Sequence, residues 1–278
     1  MNTHVTILCD NCISASGFLG EHGFSALIER GRKRYLLDTG PGLSLALNLK
    51  TLGKELTGLS RVFISHGHYD HTSGLKWVLE QTGGLEIVAH PDIFARHMAD
   101  PGSGDAPLRF VGCPFTKSEL EDLGAVFRFI DRPTEVEPGV WFIAGIPRNP
   151  EFVPRDGRLV LQREGKSVTD PISDDATLLL ETDADPVLLL GCAHAGVLNI
   201  LEFVRTDMGI KRLKAVLGGT HLMFYGTENL SRVIEALERF SVDIVAVSHC
   251  TGFEASAKLA MHFGARFAQA GAGRRFEY

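Results

Sequence analysis

The sequence predicts a mixed α/β protein whose strands and helices alternate along the chain. Short apolar runs, such as residues 62–64 and 243–247, have the length and composition of buried strands. Segments with helical spacing, such as residues 43–51 and 228–240, lie between such runs. Several apolar runs end in histidine or aspartate, so polar groups gather where strands stop. These three observations indicate helices layered on sheets, with a functional site at one sheet edge.

The first half of the chain supplies a hairpin and then an alternation of strands with helices. The stretch from Phe24 to Asp38 predicts a hairpin that turns near Gly31. Ser73 is a candidate cap for the helix that follows it. The remaining strands are expected at residues 4–9, 62–64 and 85–89, and the helices at 43–51 and 73–81.

The second half repeats the strand-then-helix order without a detectable sequence repeat. Residues 99–117 and the stretch from 145 to about 173 hold no regular period. The first of these is long enough to be a functional loop, such as a lid over the site. We expect strands at 125–130, 140–144, 176–181, 186–190, 215–217 and 243–247, and helices at 197–204 and 228–240.

The composition is that of an ordinary globular protein, and it excludes several classes. Of the 278 residues, 44% are hydrophobic and 22% charged, and the formal net charge of −6 comes without a basic run. A general nucleic-acid-binding surface is therefore not expected. No apolar segment reaches the ~18 residues that a membrane-spanning helix needs, and the N-terminus lacks a signal-peptide pattern, so we expect a cytoplasmic protein. The five scattered cysteines do not indicate a disulfide framework.

Four metal-binding side chains follow the apolar run at 62–64 within six positions. The segment reads S-H-G-H-Y-D-H and contains His66, His68, Asp70 and His71. Imidazole and carboxylate together suit zinc, iron or manganese. One metal ion can take His66 and His68, and a second can take Asp70 and His71. The alternative, a polar surface loop that happens to hold three histidines, does not account for this density.

The pattern H-x-H-x-D-H directly after a strand resembles the signature of the metallo-β-lactamase superfamily. The resemblance implies an αββα four-layer sandwich, formed by residues 1–278 as one domain, with a dinuclear metal site. It also implies that Asp38, in the motif L-L-D-T-G, orients the metal loop without binding metal, because a histidine ligand needs a partner on its other ring nitrogen. A turn cap before Pro41 is the other interpretation of Asp38.

The superfamily pattern further requires a third histidine on the first metal, a bridging aspartate and a last histidine on the second metal. His249, at the end of a predicted strand, matches the last of these. No histidine occurs from Met98 to Ala193, so His194 is the substitute for the third, and the bridging aspartate is missing. Cys192 lies near the place where some members have a cysteine ligand, and a thiolate suits zinc. Cys192 and His194 are two positions apart on backbone that can still be extended, and both need not face the metal. We favour His194 over Cys192 as the ligand, and the sequence leaves open whether Cys192 or a hydroxide bridges the metals.

Three further residues are candidates for catalysis or for contact with substrate. His221 follows a predicted strand and is expected to donate a proton beside the metals, as in some phosphodiesterase branches of the superfamily; a ligand and a buried structural histidine are the alternatives. Arg148 offers a fixed fork of donors for a phosphate or carboxylate, with a plain surface arginine as the alternative. His22 lies beside a glycine in a loop and is expected to reach the site, unless it is only solvated.

One branch of the superfamily shares more than the metal motif. The segments E-H-G-F-S (21–25), G-C-A-H-A-G (191–196), G-G-T-H-L (218–222) and S-H-C-T-G (248–252) resemble it. Its members are commonly named 7,8-dihydropterin-6-yl-methyl-4-(β-D-ribofuranosyl)aminobenzene 5′-phosphate synthases. The resemblance leaves two chemistries open. A hydrolase would direct a metal-bound hydroxide at an ester or phosphoester, with Asp70 in the metal site and His221 as the acid. A transferase would join an activated pterin to an arylamine with release of diphosphate.

The expected function is that of a dinuclear metal-dependent hydrolase, with the pterin transferase as the named alternative. The expected cofactors are two divalent metal ions, zinc ahead of iron or manganese. The expected partner is a small-molecule substrate, with neither nucleic acid nor membrane, and the sequence leaves the oligomeric state open. A non-catalytic metal-binding protein is a third interpretation, and it would require a blocked coordination position.

Overall fold

The computed structural model describes residues 2–102, 106–163 and 166–278, with the backbone alone at Arg163. Within these ranges the strands are β1 Thr3–Cys9, β2 Ser25–Arg30, β3 Lys33–Leu37, β4 Arg61–Phe63, β5 Leu85–Ala89, β6 Met98–Ala99, β7 Arg109–Phe110, β8 Ala125–Phe129, β9 Thr134–Glu137, β10 Val140–Ala144, β11 Leu159–Arg163, β12 Lys166–Thr169, β13 Ala176–Leu180, β14 Val187–Leu190, β15 Ala215–Gly219, β16 Ile244–Ser248, β17 Phe267–Gln269 and β18 Arg275–Glu277. The helices are α1 Leu43–Thr51, α2 Tyr69–Thr72, α3 Leu75–Thr82, α4 Lys117–Asp122, α5 Val197–Thr206, α6 Thr227–Arg239 and α7 Phe253–Phe263.

In the described part of the chain these strands form two seven-stranded sheets and a four-stranded one. The first sheet has the order β18-β1-β2-β3-β4-β5-β8, and the second has the order β17-β16-β15-β14-β13-β10-β9. The small sheet has the order β12-β11-β6-β7. Among the described residues, none of the helices combines the length and the apolar character needed to cross a bilayer.

Alternate residues of the central strands point into different layers. Leu189 on β14 packs into the core between the two large sheets, whereas Leu188 packs against α5, α6 and α7. On β3, Tyr35 faces the same central core and Leu36 faces α1 and α3. The layers therefore follow the order helix, sheet, sheet, helix, which confirms the predicted αββα sandwich. The core that both sheets share supports the proposal of one domain over residues 1–278.

The centre of the sandwich provides a stability test. Phe142 on β10 is fully buried, and its ring stacks on Phe63 of the other sheet with a centroid distance of 6.2 Å. We expect Phe142→Ala to lower the free energy of unfolding by about 3–5 kcal/mol, because a buried ring is replaced by a cavity. The same substitution at Phe253, which is 90% exposed, should change it by less than about 0.5 kcal/mol. Equal effects in urea unfolding would contradict this placement of the core.

Parallel strands place the functional residues at one edge. β3 runs parallel to β4, so Asp38 after β3 lies beside the H-x-H segment after β4. β14, β15 and β16 are parallel neighbours in the second sheet. Because these three strands end at the same edge, the histidines that follow them, His194, His221 and His249, meet there.

Several local expectations were wrong, and tertiary contacts explain why. Ser73 does not cap α3, which begins after Gly74; it follows the last residue of α2, and its hydroxyl donates to the Tyr69 carbonyl. The stretch predicted to be irregular from 145 to 173 contains the hairpin β11–β12, which pairs with β6 in the small sheet. The predicted loop at 99–117 contributes β7 to that sheet. The same loop was expected to act as a lid over the site, and its residues 103–105 lie outside the described residues.

Candidate metal centre

The H-x-H-x-D-H segment combines an extended part with one helical turn. His66 and His68 follow β4, and the turn of α2 then brings Asp70 and His71 back toward them. A glycine is required at position 67, because a Cβ atom there would lie 2.1 Å from the carbonyl oxygen of Ile93. The loop therefore packs directly against the backbone of Ile93, with its histidines directed toward one another.

The three histidines predicted for the first metal lie together in the structure. Nε2 of His66 is 2.9 Å from Nδ1 of His68. The His194 ring centroid is 4.7 Å from that of His66 and 5.1 Å from that of His68. All three residues are buried, and among the described residues Nε2 of His68 and Nε2 of His194 have no hydrogen-bond partner. Buried ring nitrogens without partners are costly unless something binds them.

The three residues predicted for the second metal form an adjoining cluster. Nε2 of His71 lies 3.2 Å from Nε2 of His249. Oδ2 of Asp70 is 3.5 Å from the same nitrogen of His249 and 4.0 Å from that of His71. Nε2 of His22 is 3.3 Å from Oδ2 of Asp70, so His22 reaches the cluster from the mouth of the site.

Cys192, which the sequence disfavours as a ligand, lies between the two clusters. Its Sγ is 3.3 Å from Nε2 of His71. The sulfur also groups with His66 and His194 on one side and with His71 and His249 on the other, each set having its ligand atoms within 4.8 Å of one another. The backbone is not extended here: Ala193 has φ of +58°.

Positive φ angles mark the segments that build the site. Among the described residues, six residues other than glycine have positive φ. Five of them lie in or beside the site: Asp38, Ile172, Ala193, His221 and His249. Such backbone geometry costs about 1–3 kcal/mol at each position and persists where function constrains the chain.

The outer nitrogens of three histidines are held by hydrogen bonds. His71 donates from Nδ1 to Oδ2 of Asp38 at 2.7 Å, as predicted for a residue that orients the loop. Nδ1 of His66 contacts the Ser65 hydroxyl at 2.9 Å, and that hydroxyl donates to Asp38. Nδ1 of His249 lies 3.0 Å from Oδ1 of Asn11. Each contact fixes the ring and turns Nε2 toward the centre, which is the arrangement that metal-binding imidazoles require.

Burial and neighbouring charge set the protonation of these groups. Burial and the neighbouring histidines hold the pKa of His66 and of His194 well below the ordinary value. Burial lowers the pKa of His68 and of His249 to about 4. Burial would also lower the pKa of His71, but the Asp38 and Asp70 carboxylates raise it to about 9. Four of the five imidazoles are therefore neutral at pH 7 and present lone pairs, as metal ligands must.

The clusters open onto a cavity of about 820 Å³. His22, Asp70, His194, His221 and His249 all line it. This volume lies within the range typical of small-molecule sites.

The structure places His221 and Arg148 differently from one another. Both ring nitrogens of His221 are buried without a hydrogen-bond partner among the described residues, and its ring lies 4.2 Å from that of His194. Burial would lower the pKa of His221, but the Cys250 thiol and nearby carboxylates raise it above the ordinary value. Arg148 donates instead to the carbonyls of Pro171 and Ile172, and it lines a smaller adjoining cavity. Its contact with substrate stays a prediction.

Sequence reasoning missed several residues that support the site. His97 is buried and its Nδ1 lies 2.6 Å from Oδ2 of Asp170. Asp174 and Asp175 accept hydrogen bonds from backbone N–H groups of the two ligand-bearing halves. Adjacent aspartates directly before an apolar strand were the signal that could have found them, since carboxylates at a strand entrance need partners when they are buried.

Comparison with known proteins agrees with the geometry. The sequence profile of the metallo-β-lactamase superfamily matches residues 20–249. An uncharacterized protein of Methanocaldococcus jannaschii is 33% identical over 92% of this chain and 93% of its own length. A second protein of that organism, named 7,8-dihydropterin-6-methyl-4-(β-D-ribofuranosyl)-aminobenzene-5′-phosphate synthase, is 29% identical over 95% of this chain and 92% of its own length.

Solved structures show the same fold. The crystal structure of Tm1679, described as a metal-dependent hydrolase of the β-lactamase superfamily, aligns over 99% of both chains with a TM-score of 0.85 and 28% identity. Zinc-bound PqqB from Methylobacterium extorquens aligns over 99% of this chain and 100% of its own with a TM-score of 0.58 and 13% identity, a likeness of fold alone. The profile match, the full-length relatives and the shared architecture lead to one conclusion. The chain belongs to the metallo-β-lactamase superfamily.

Proposed function

We propose that this protein is a metal-dependent hydrolase that binds two divalent metal ions and cleaves an ester or phosphoester of a small molecule. The observation that carries the proposal is the pair of adjoining clusters at the base of one cavity. His66, His68 and His194 would hold one ion, and Asp70, His71 and His249 the other. The neutral, oriented imidazoles and the partnerless nitrogens fit such ions.

The donor set favours zinc. Imidazole and thiolate are common zinc ligands, and Cys192 adds a sulfur between the clusters. Iron and manganese remain the alternatives, because imidazole and carboxylate also suit them. When bound, divalent ions supply Lewis acidity and activate water at neutral pH.

The side chains of the cavity supply the rest of the chemistry. His221 lies beside the first cluster, and its raised pKa favours the protonated form that a general acid needs to protonate the leaving group. His22, whose side chain is 64% exposed, sits at the entrance, where it can contact substrate and Asp70 together. Phe224 stacks on His221 with a centroid distance of 5.0 Å and limits the motion of that ring.

A pterin transferase is the second candidate function, and two observations favour it. A relative named as the dihydropterin-ribofuranosyl-aminobenzene phosphate synthase matches nearly the whole chain. A second cavity of about 450 Å³ adjoins the first, and His194 and His221 line both. Two cavities that meet at these histidines give space for two ring systems. Either reaction uses a small-molecule substrate, and we propose the cytoplasm as its location.

One experiment decides between the two reactions. Zinc-loaded protein is assayed with chromogenic carboxylic and phosphoric esters, and separately with an activated dihydropterin diphosphate and an arylamine. Hydrolysis that is lost in chelator and restored by zinc supports the hydrolase. Formation of a carbon–nitrogen product with release of diphosphate supports the transferase. Hydrolysis unaffected by complete metal removal would contradict the proposed function.

A further inference from the structure

Two adjacent carboxylates, Asp174 and Asp175, reach the two chain segments that carry the proposed ligands of the first metal ion. They are 0% and 3% exposed. Both belong to residues 170–175, which join β12 to β13 and which we term the bridge loop. The bridge loop lies in the long part of the sequence that contains no histidine.

Asp174 holds the segment that carries His66 and His68. Its Oδ2 accepts a hydrogen bond from the backbone N–H of Gly67 at 2.6 Å. Gly67 separates His66 from His68 and is pressed from another direction by Ile93. A shift of the Gly67 amide would therefore move both imidazoles.

Asp175 holds the segment that carries His194. Its Oδ1 accepts from the N–H of His194 at 3.0 Å, and its Oδ2 accepts from the N–H of Ala195 at 2.8 Å. Hydrogen bonds to an ionised acceptor are about twice as strong as neutral ones, and these two fix the turn that follows Ala193.

The bridge loop is itself fixed from outside. Arg148 donates to the carbonyls of Pro171 and Ile172 at 2.5 and 2.9 Å. His97 lies between the two ends of the loop, with Nδ1 2.6 Å from Oδ2 of Asp170 and Nε2 3.6 Å from Oδ1 of Asp174. These contacts make the loop a rigid spacer between the two ligand-bearing segments.

We propose that Asp174 and Asp175 are positioning residues that set the separation of His66 and His68 from His194, and so control metal affinity at the first site. The inference rests on the proposed two-metal centre. In this chain the histidine-free region acts through acceptors for backbone N–H groups instead of through a ligand. Binding sites need their ligands held within about 0.5 Å, which such a spacer provides.

Asp174→Asn and Asp175→Asn test the inference with little change of volume. At position 175 an asparagine places an amide NH₂ donor where one carboxylate oxygen stood, so the N–H of His194 or that of Ala195 loses its acceptor. Cadmium NMR of the loaded protein should give one resonance for each site, assigned with His68→Ala and His249→Ala. We expect both bridge-loop variants to lose about 10–100-fold in affinity at the first site, while the second site keeps its affinity.

Asp10→Asn is the matched control. Asp10 is also fully buried, and its Oδ2 accepts from the backbone N–H of His249 at 2.7 Å. This variant should weaken the second site and leave the first unchanged.

The outcomes separate positioning from general stability. Melting temperatures of the metal-free variants are measured alongside. If the bridge-loop variants weaken both sites equally, or neither site, while the melting temperature falls, the loop is only structural and the inference is wrong. A wild-type protein that gives one resonance or none overturns the two-metal proposal and the inference with it.

Discussion

Alanine in place of His66 or His249 is expected to reduce the metal content from about two ions per chain to about one. Each histidine belongs to a different cluster, and its Nε2 is the ring nitrogen left free by an outer hydrogen bond. Removing that nitrogen takes away a ligand outright. The loss of turnover should therefore exceed the ~10–100-fold that removal of a supporting residue typically costs. Elemental analysis after dialysis and the rate with a chromogenic ester measure both effects.

His262→Ala is the control for a histidine substitution. His262 lies on α7, is 44% exposed, and pairs with Glu238 rather than with the metal centre. It should keep full metal content and full rate. Wild-type metal content in both His66→Ala and His249→Ala would show that the clusters are not the metal site.

Replacing His221 is expected to leave both metal ions in place and to lower turnover by ~10²–10⁴, the usual contribution of general acid–base catalysis. The ring lies beside His194 and lines the cavity, but it belongs to neither proposed ligand set. His221 has φ of +52°, a conformation that asparagine tolerates better than alanine does. His221→Asn is therefore the main variant, since it removes the acid with the least backbone strain, and His221→Ala accompanies it.

Three measurements on these variants separate the roles of His221. Loss of metal together with activity would make His221 a metal ligand. The sulfurs of Cys192 and Cys250 lie close enough to form a ligand set with it. A lower melting temperature with an unchanged rate per folded molecule would make it a structural histidine. Retained metal with an unchanged rate would end the catalytic assignment.

The sequence by itself determined many of the elements in the two large sheets and the segments that carry the candidate ligands. The bounds of α1 and β5 agree with expectation, because their apolar spacing and their limits are local properties. The H-x-H-x-D-H segment identified its own location, since four metal-binding groups within six positions after a strand rarely come together by chance. His194 and His249 followed from their positions at strand ends, although the choice of His194 depended on the resemblance to a known family.

The tertiary structure decided how these segments face one another. Cys192 lies between the clusters, and the residue types do not predict the positive φ that Ala193 adopts beside it. Asp174 supports the centre through a hydrogen bond from Gly67, which is more than a hundred positions away in sequence. Asp175 does so through a hydrogen bond from Ala195, about twenty positions away. Arg148 was drawn to two carbonyls of the bridge loop instead of facing the main cavity. The local sequence pattern shows which face of an element is apolar. A backbone turn or a buried carboxylate is instead stabilised by partners that are distant in sequence, and only folding brings those partners into contact.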